Sequence, residues 1–163
     1  MKTIAIYPGS FDPFHLGHLN VFQKAEKIFG EGNVIIAMGI NIEKYEDDPN
    51  DEFLQDIFIS DKEYDAKELK NKLNKEVIVY KNFLHTLVEK YEELGYNVVI
   101  VRGLRNASDL EYEKNQKIWI DYFKNDINYV YITSDKEFEH ISSSSIRKVN
   151  NFVDEDFLKK VLP

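Results

Sequence analysis

Cysteine is absent from the 163 residues, which excludes disulfides and thiolate-bound metal sites. That composition suits a reducing compartment. Glycine is scarce, at seven residues, and the seven do not form the spacing of a P-loop or of a dinucleotide-binding turn. A nucleotide, if bound, must be held another way. No apolar run approaches the roughly 20 residues needed to span a bilayer, and residues 1–6 lack a charged-then-apolar leader pattern. The expectation is a cytoplasmic chain that engages no membrane. Positive charge is also in deficit. A formal net charge of −8 argues against a nucleic-acid partner, because such proteins draw most of their affinity from a basic footprint. Arginine occurs only as Arg102, Arg105 and Arg147, so an anionic ligand must meet a positive site made locally.

The length fits one domain, residues 1–163, with enough chain to bury a substantial core. Residues 3–7 and 34–38 are apolar and β-favouring, and residues 19–29 between them carry apolar positions at helical spacing, through Val21, Phe22, Ala25 and Ile28. Strands are expected again at 77–80, 97–101 and 129–132. Helices are expected at 83–94, 110–123, 143–149 and 154–161. Strands alternating with helices predict an α/β fold: a doubly wound, Rossmann-like domain with a parallel five-stranded sheet and helices on both faces. In such sheets ligands bind beyond the carboxyl ends of the strands, where the strand order reverses. Three polar segments follow predicted strands, at 8–18, 102–105 and 133–145, and all three can converge on that edge.

The first of these, Tyr7-Pro8-Gly9-Ser10-Phe11-Asp12-Pro13-Phe14-His15-Leu16-Gly17-His18, is a strand-to-helix loop. Its small residues let backbone amides approach an anion, and the following helix aims its partial positive charge at the same place. His15 and His18 stand three apart at the helix entrance, on one side, where imidazole donors can neutralise charge developing on a phosphoryl group. A metal pair or simple helix capping are the competing readings of the two histidines. In the second segment, Arg102 and Arg105 offer planar forks suited to phosphate oxygens, against a plain basic turn capped by Asn106 and Ser108. Asp109 and Glu111 read as a helix start and surface charge. The third, Phe138-Glu139-His140-Ile141-Ser142-Ser143-Ser144-Ser145, is either an ordinary serine-capped loop or a set of hydroxyls and amides for a polyphosphate.

Together, Tyr7 to Pro13 with His15-Leu16-Gly17-His18, Arg102-Gly103-Leu104-Arg105 with Asp109 to Glu113, and Ile141-Ser142-Ser143-Ser144 resemble the nucleotidyltransferase superfamily that carries the HxGH motif. In particular they are similar to the bacterial phosphopantetheine adenylyltransferases. The resemblance implies that the phosphate of 4'-phosphopantetheine attacks the α-phosphorus of ATP, giving dephospho-coenzyme A and pyrophosphate with no covalent enzyme intermediate. It implies His18 as the catalytic residue. It implies ATP contacts from Ser10, Phe11, His18, Gly103, Leu104, Arg105, Glu113, Phe138, Glu139, His140, Ile141, Ser142, Ser143 and Ser144. Acceptor contacts would come from Ser10, Lys44, Thr86 and Arg102. Magnesium would arrive with ATP rather than in a dedicated carboxylate cage. The usual assembly of the family is a hexamer, which implies a homo-oligomer.

Between residues 41 and 82 the likeness weakens. Residues 41–75 form a diverged, acidic segment in which Lys44 is as readily an exposed lysine as a substrate ligand. His15 is more typical of the wider superfamily, and Arg147 has the Ile-Ser-Ser-x-x-Ile-Arg setting of other members. An adenylyltransferase for nicotinamide mononucleotide or another phosphate therefore remains a rival reading. A nucleotide-binding regulator without turnover is a second.

Overall fold

The computed structural model describes residues 1–40, 52–81, 83–150 and 155–163. Lys44 lies outside them. Five parallel strands form one sheet: β1 (Lys2–Gly9), β2 (Val34–Gly39), β3 (Val77–Tyr80), β4 (Tyr96–Leu104) and β5 (Asn128–Thr133). Their order is β3-β2-β1-β4-β5, so the winding reverses between β1 and β4, as the doubly wound expectation requires. Continuous apolar runs such as Val34-Ile35-Ile36-Ala37-Met38, buried along their whole length, are what a strand covered on both faces needs.

The helices divide between the two faces. On one, α1 (Leu16–Phe29) and α2 (Glu52–Leu73) cover Tyr7, Ile36, Met38 and Val101 through Val21, Phe22, Ala25, Ala66 and Leu69. On the other, α3 (Leu84–Glu93) packs Leu84, Leu87 and Val88 against Ile4, Ile6, Ala37 and Ile100. Complete burial of side chains such as Phe22, Ile36 and Ile100 stabilises the fold by about 1.5–3 kcal/mol each before entropy is set against it. α4 (Ala107–Phe123) lies on this second face but buries none of its residues. A smaller core of Ile141, Ile146 and Val161 joins α5 (Ser143–Asn150) and α6 (Glu155–Val161) to Leu16 at the start of α1.

Among the differences from the sequence expectation, three have a clear physical reason. α1 begins at Leu16 rather than residue 19, because His15 caps it. β4 runs through Arg102-Gly103-Leu104 to pair with Tyr131-Ile132-Thr133, so the arginine stands on the strand and not on a loop after it. α2 occupies most of the acidic stretch where no helix was expected; its apolar stripe is thin, and one of its three buried residues is Lys62.

Candidate active site

At the carboxyl ends of β1 and β4 lies a cavity of about 420 Å³. Its wall is shared by the loop after β1, the first turn of α1, the end of β4, the start of α4 and the serine segment before α5. The three segments that sequence placed at strand ends therefore do meet. Ser10, His18, Gly103, Leu104, Arg105, Glu113, Ser142, Ser143 and Ser144, all expected at the nucleotide, line it together with His15.

The histidine pair is the best-defined part of the wall. His15 is the N-cap of α1, and its Nδ1 accepts the His18 amide at 3.4 Å while the His15 amide donates to His18 Nδ1 at 3.2 Å. This is a capping box built from two imidazoles in place of the usual hydroxyl and carboxylate. Because each Nδ1 accepts a backbone N–H, each ring carries its proton on Nε2. The rings stack with centroids 3.6 Å apart, and Phe11 meets His18 edge-on at 4.9 Å. Burial, reinforced by Arg105, pushes His15 down to about 4. Burial, with His15 and Arg105 beside it, also holds His18 well below the ordinary imidazole range. Both side chains are thus neutral donors at pH 7. Gly17 makes the stack possible, since a Cβ there would lie 3.0 Å from His15 Cε1.

Around this pair the loops are fastened by side chains from distant parts of the chain. Lys62, buried on α2, donates to the Ser10 carbonyl at 2.6 Å. Ser143 Oγ donates to the Pro13 carbonyl at 2.9 Å, and Arg147 donates to the Asp12 carbonyl. Asn20 and Lys24 of α1 both bind the Asp135 carboxylate, at 2.8 and 2.7 Å, which ties the loop after β5 to α1. Ser142 caps α5 by accepting the Ser145 amide at 3.1 Å. The N-termini of α1, α4 and α5 consequently face one space, each with its partial positive charge.

On β4, alternate residues serve opposite faces. Gly103 faces α1, where a Cβ would come 3.1 Å from Val21 and 3.2 Å from the Tyr7 hydroxyl. Arg102 belongs to the α3 and α4 side. There its Nε and Nη2 donate to Glu113 at 2.6 and 2.8 Å, and its Nη1 donates to the Pro8 carbonyl at 3.0 Å. Arg105 lines the cavity and is held by Asp109, whose carboxylate also accepts the Arg105 amide at 2.8 Å. Those hydrogen bonds and the Arg105 charge hold Asp109 below the usual carboxylate range in spite of its burial.

Other expected contacts stand apart from this wall. Phe11 and Ile141 are buried in the cores on either side, and Phe138 packs against the smaller one. Glu139 and His140 are exposed on the short turn between β5 and α5. Thr86, in the first turn of α3, donates to the Phe83 carbonyl at 2.7 Å. Sequence reasoning missed Lys62, Tyr7, Tyr112 and Ser134. The last three line the cavity: Tyr7 and Ser134 fall in the first and third polar segments without being marked as contacts there, and Tyr112 on a charged helix carries no signal of its own.

The comparisons with known proteins agree with this geometry. The sequence profile of the cytidylyltransferase-like family matches residues 6–149. A phosphopantetheine adenylyltransferase of Mycoplasma mycoides subsp. mycoides is 35% identical over 156 residues, covering 91% of this chain and 96% of that protein. One from Clostridium botulinum is 30% identical over 152 residues, covering 91% and 85%. Among solved structures, the nicotinic acid mononucleotide adenylyltransferase of Plasmodium falciparum, complexed with NaAD, superposes with a TM-score of 0.61 at 19% identity. It covers 99% of this chain and 91% of that one, a likeness of fold. With the HxGH loop, Arg105 after β4 and the serine segment gathered on one cavity, the chain belongs to the cytidylyltransferase-like family and, within it, to the phosphopantetheine adenylyltransferases.

Proposed function

We propose that this chain transfers the adenylyl group of ATP to the phosphate of 4'-phosphopantetheine, forming dephospho-coenzyme A and releasing pyrophosphate. The observation that carries the reading is the pair of neutral, Nε2-protonated imidazoles at the mouth of α1, across one cavity from Arg105 and the serine segment. An acceptor phosphate oxygen attacks the α-phosphorus of ATP while the bond to the β-phosphate bridging oxygen breaks, in line, and pyrophosphate leaves. The protein supplies position and charge to this step. His18 Nε2–H donates to a non-bridging oxygen of the α-phosphate as charge builds there. The first-turn amides of α1 face the same group.

Ser10, Gly103, Leu104, Arg105, Glu113 and Ser142 to Ser144 form the ATP contacts in this reading, with Arg105 and the α5 start toward the polyphosphate. Arg102, already oriented by Glu113 and the Pro8 carbonyl, receives the acceptor phosphate at the reversal between β1 and β4. Among the described residues, no group of three or more His, Asp or Glu side chains is placed to hold a metal ion. Magnesium would arrive with ATP and would supply charge shielding for the leaving pyrophosphate.

The test is pyrophosphate release from MgATP with 4'-phosphopantetheine and nicotinamide mononucleotide in parallel. Turnover with 4'-phosphopantetheine is expected. Turnover with nicotinamide mononucleotide alone would overturn the acceptor assignment, and tight ATP binding without turnover on either would replace the enzyme by a nucleotide-binding regulator.

A further inference from the structure

Ser134 is the first residue after β5, at the carboxyl edge of the sheet. Only 9% of its surface is exposed, and its Oγ is buried without a hydrogen-bond partner among the described residues. A buried hydroxyl left unpaired is costly, so one in a native fold calls for a partner. The cavity is where such a partner can enter, because Ser134 lines it beside Leu104. The backbone around this hydroxyl is fixed on both sides. The Ser134 amide itself donates to the Leu104 carbonyl at 2.9 Å. Before it, the Thr133 carbonyl accepts from Lys24 at 2.6 Å, and after it the Asp135 amide donates to Asn20 Oδ1 at 2.8 Å. Asn20 and Lys24 stand one turn apart on α1 and also bind the Asp135 carboxylate. The hydroxyl therefore sits on a stretch of chain clamped to α1.

We propose that Ser134 Oγ hydrogen-bonds the edge of the purine base of ATP, as a specificity-determining residue, an inference that rests on the adenylyl-transfer reading above. Charge sets which part of the nucleotide reaches it. Arg105 and the N-termini of α1 and α5, elsewhere on the same wall, suit the triphosphate. Lys24, the ammonium beside Ser134, is neutralised by the Asp135 carboxylate at 2.7 Å, so this place offers a phosphate little charge. Shape agrees. Gly17, Val21, Gly103 and Leu104 line the cavity with Ser134, and the two glycines present bare backbone. Such an uncharged wall suits a planar ring, whose heteroatoms then lie at its edge, where a few placed polar groups fix orientation and identity. A serine hydroxyl is matched to a purine edge because it accepts from an exocyclic amino group or donates to a ring nitrogen. A ribose hydroxyl and a phosphate oxygen are the competing partners.

Binding without an acceptor tests this on the full chain, independently of which acceptor is used. Wild type and Ser134→Ala are titrated calorimetrically with MgATP and with the magnesium complex of 2',3'-dideoxy-ATP, which lacks both ribose hydroxyls. Inorganic tripolyphosphate is measured by its displacement of ATP. The expected result is a Kd about three- to tenfold higher in the variant for both nucleotides, the worth of one hydrogen bond, and unchanged for tripolyphosphate. The unliganded variant should melt at or above the wild-type temperature, since it loses an unpaired polar atom, whereas a merely structural serine would lower it. Equal ATP affinity in the two proteins would overturn the proposal. A loss with ATP that disappears with the dideoxy analogue would replace it by a ribose contact, and an equal loss with tripolyphosphate by a phosphate contact. If Ser134→Ala melts lower, Ser134→Cys, which keeps the size and only a weak donor, decides by the same titrations. Failure of the wild type to bind ATP at all would overturn the adenylyl-transfer reading itself, which an unaffected variant would leave standing.

Discussion

Glu113 grips Arg102 through two hydrogen bonds, 2.6 Å to Nε and 2.8 Å to Nη2, so the guanidinium at the β1/β4 reversal is held in one orientation. Both side chains are largely buried, and burial strengthens a charged pair while raising the cost of breaking it. Truncation as Glu113→Ala should therefore lower stability by about 3 kcal/mol, the lower end for an interrupted buried pair. The readout is the shift in denaturant midpoint at constant slope. Arg102→Lys, which keeps the charge but loses the fork, should raise KM for the acceptor about tenfold and leave KM for ATP within a factor of about three. Equal changes in both would place Arg102 elsewhere in the reaction.

The reciprocal imidazole caps set two further expectations. His18→Ala should lower kcat by about 10²–10³, the effect of removing one donor to a developing oxyanion, with ATP still bound in a calorimetric titration. Near-normal turnover would remove His18 from the step. Gly17→Ala should lower kcat too, because its methyl would meet His15 Cε1 and Nδ1 at 3.0–3.1 Å and push the stack apart.

Acid should destabilise the fold through the same pair. The neutral forms are favoured by folding: His15 is pushed down to about 4 and His18 well below its usual range, both chiefly by burial. Above an unfolded-state value of about 6.5 neither state takes the proton. As pH falls below it, the unfolded chain binds protons that the native state refuses, so unfolding free energy declines from pH 7 toward pH 5. His15→Asn, which retains a capping side chain, should flatten that decline. A slope unchanged by the substitution would assign the acid sensitivity to other groups.

Lys62→Met should loosen the loop after β1. Its ammonium reaches the Ser10 carbonyl at 2.6 Å from inside α2, and a hydrogen bond from a charged donor contributes about 1.5–3 kcal/mol. The variant should melt lower and bind ATP more weakly, by about tenfold in Kd, with kcat at saturation less affected. Unchanged ATP affinity would show that the Ser10 loop holds its shape without the lysine.

Period and punctuation made most of the architecture legible. Apolar runs bounded by turns marked all five strands, and helical spacing marked α1 and α3, because each buries a defined stripe. α2 was hidden because its buried stripe is only Lys62, Ala66 and Leu69 within an acidic segment. The end of β4 was misjudged for a related reason. Arg102 and Gly103 look like loop residues, yet pairing with β5 holds them on the strand.

The sequence by itself determined the fold class and the family and nominated the residues proposed to carry the chemistry, because hydrophobic period and local motif are properties of neighbours along the chain. Tertiary structure decided which of those residues share one cavity, that the two histidines stay neutral, and that Arg102 is held by Glu113 on the far face of β4 from α1. It also decided that the Ser134 hydroxyl is buried in the cavity wall without a partner among the described residues. Each of these follows from desolvation and from contacts between residues far apart in sequence, which no local pattern encodes.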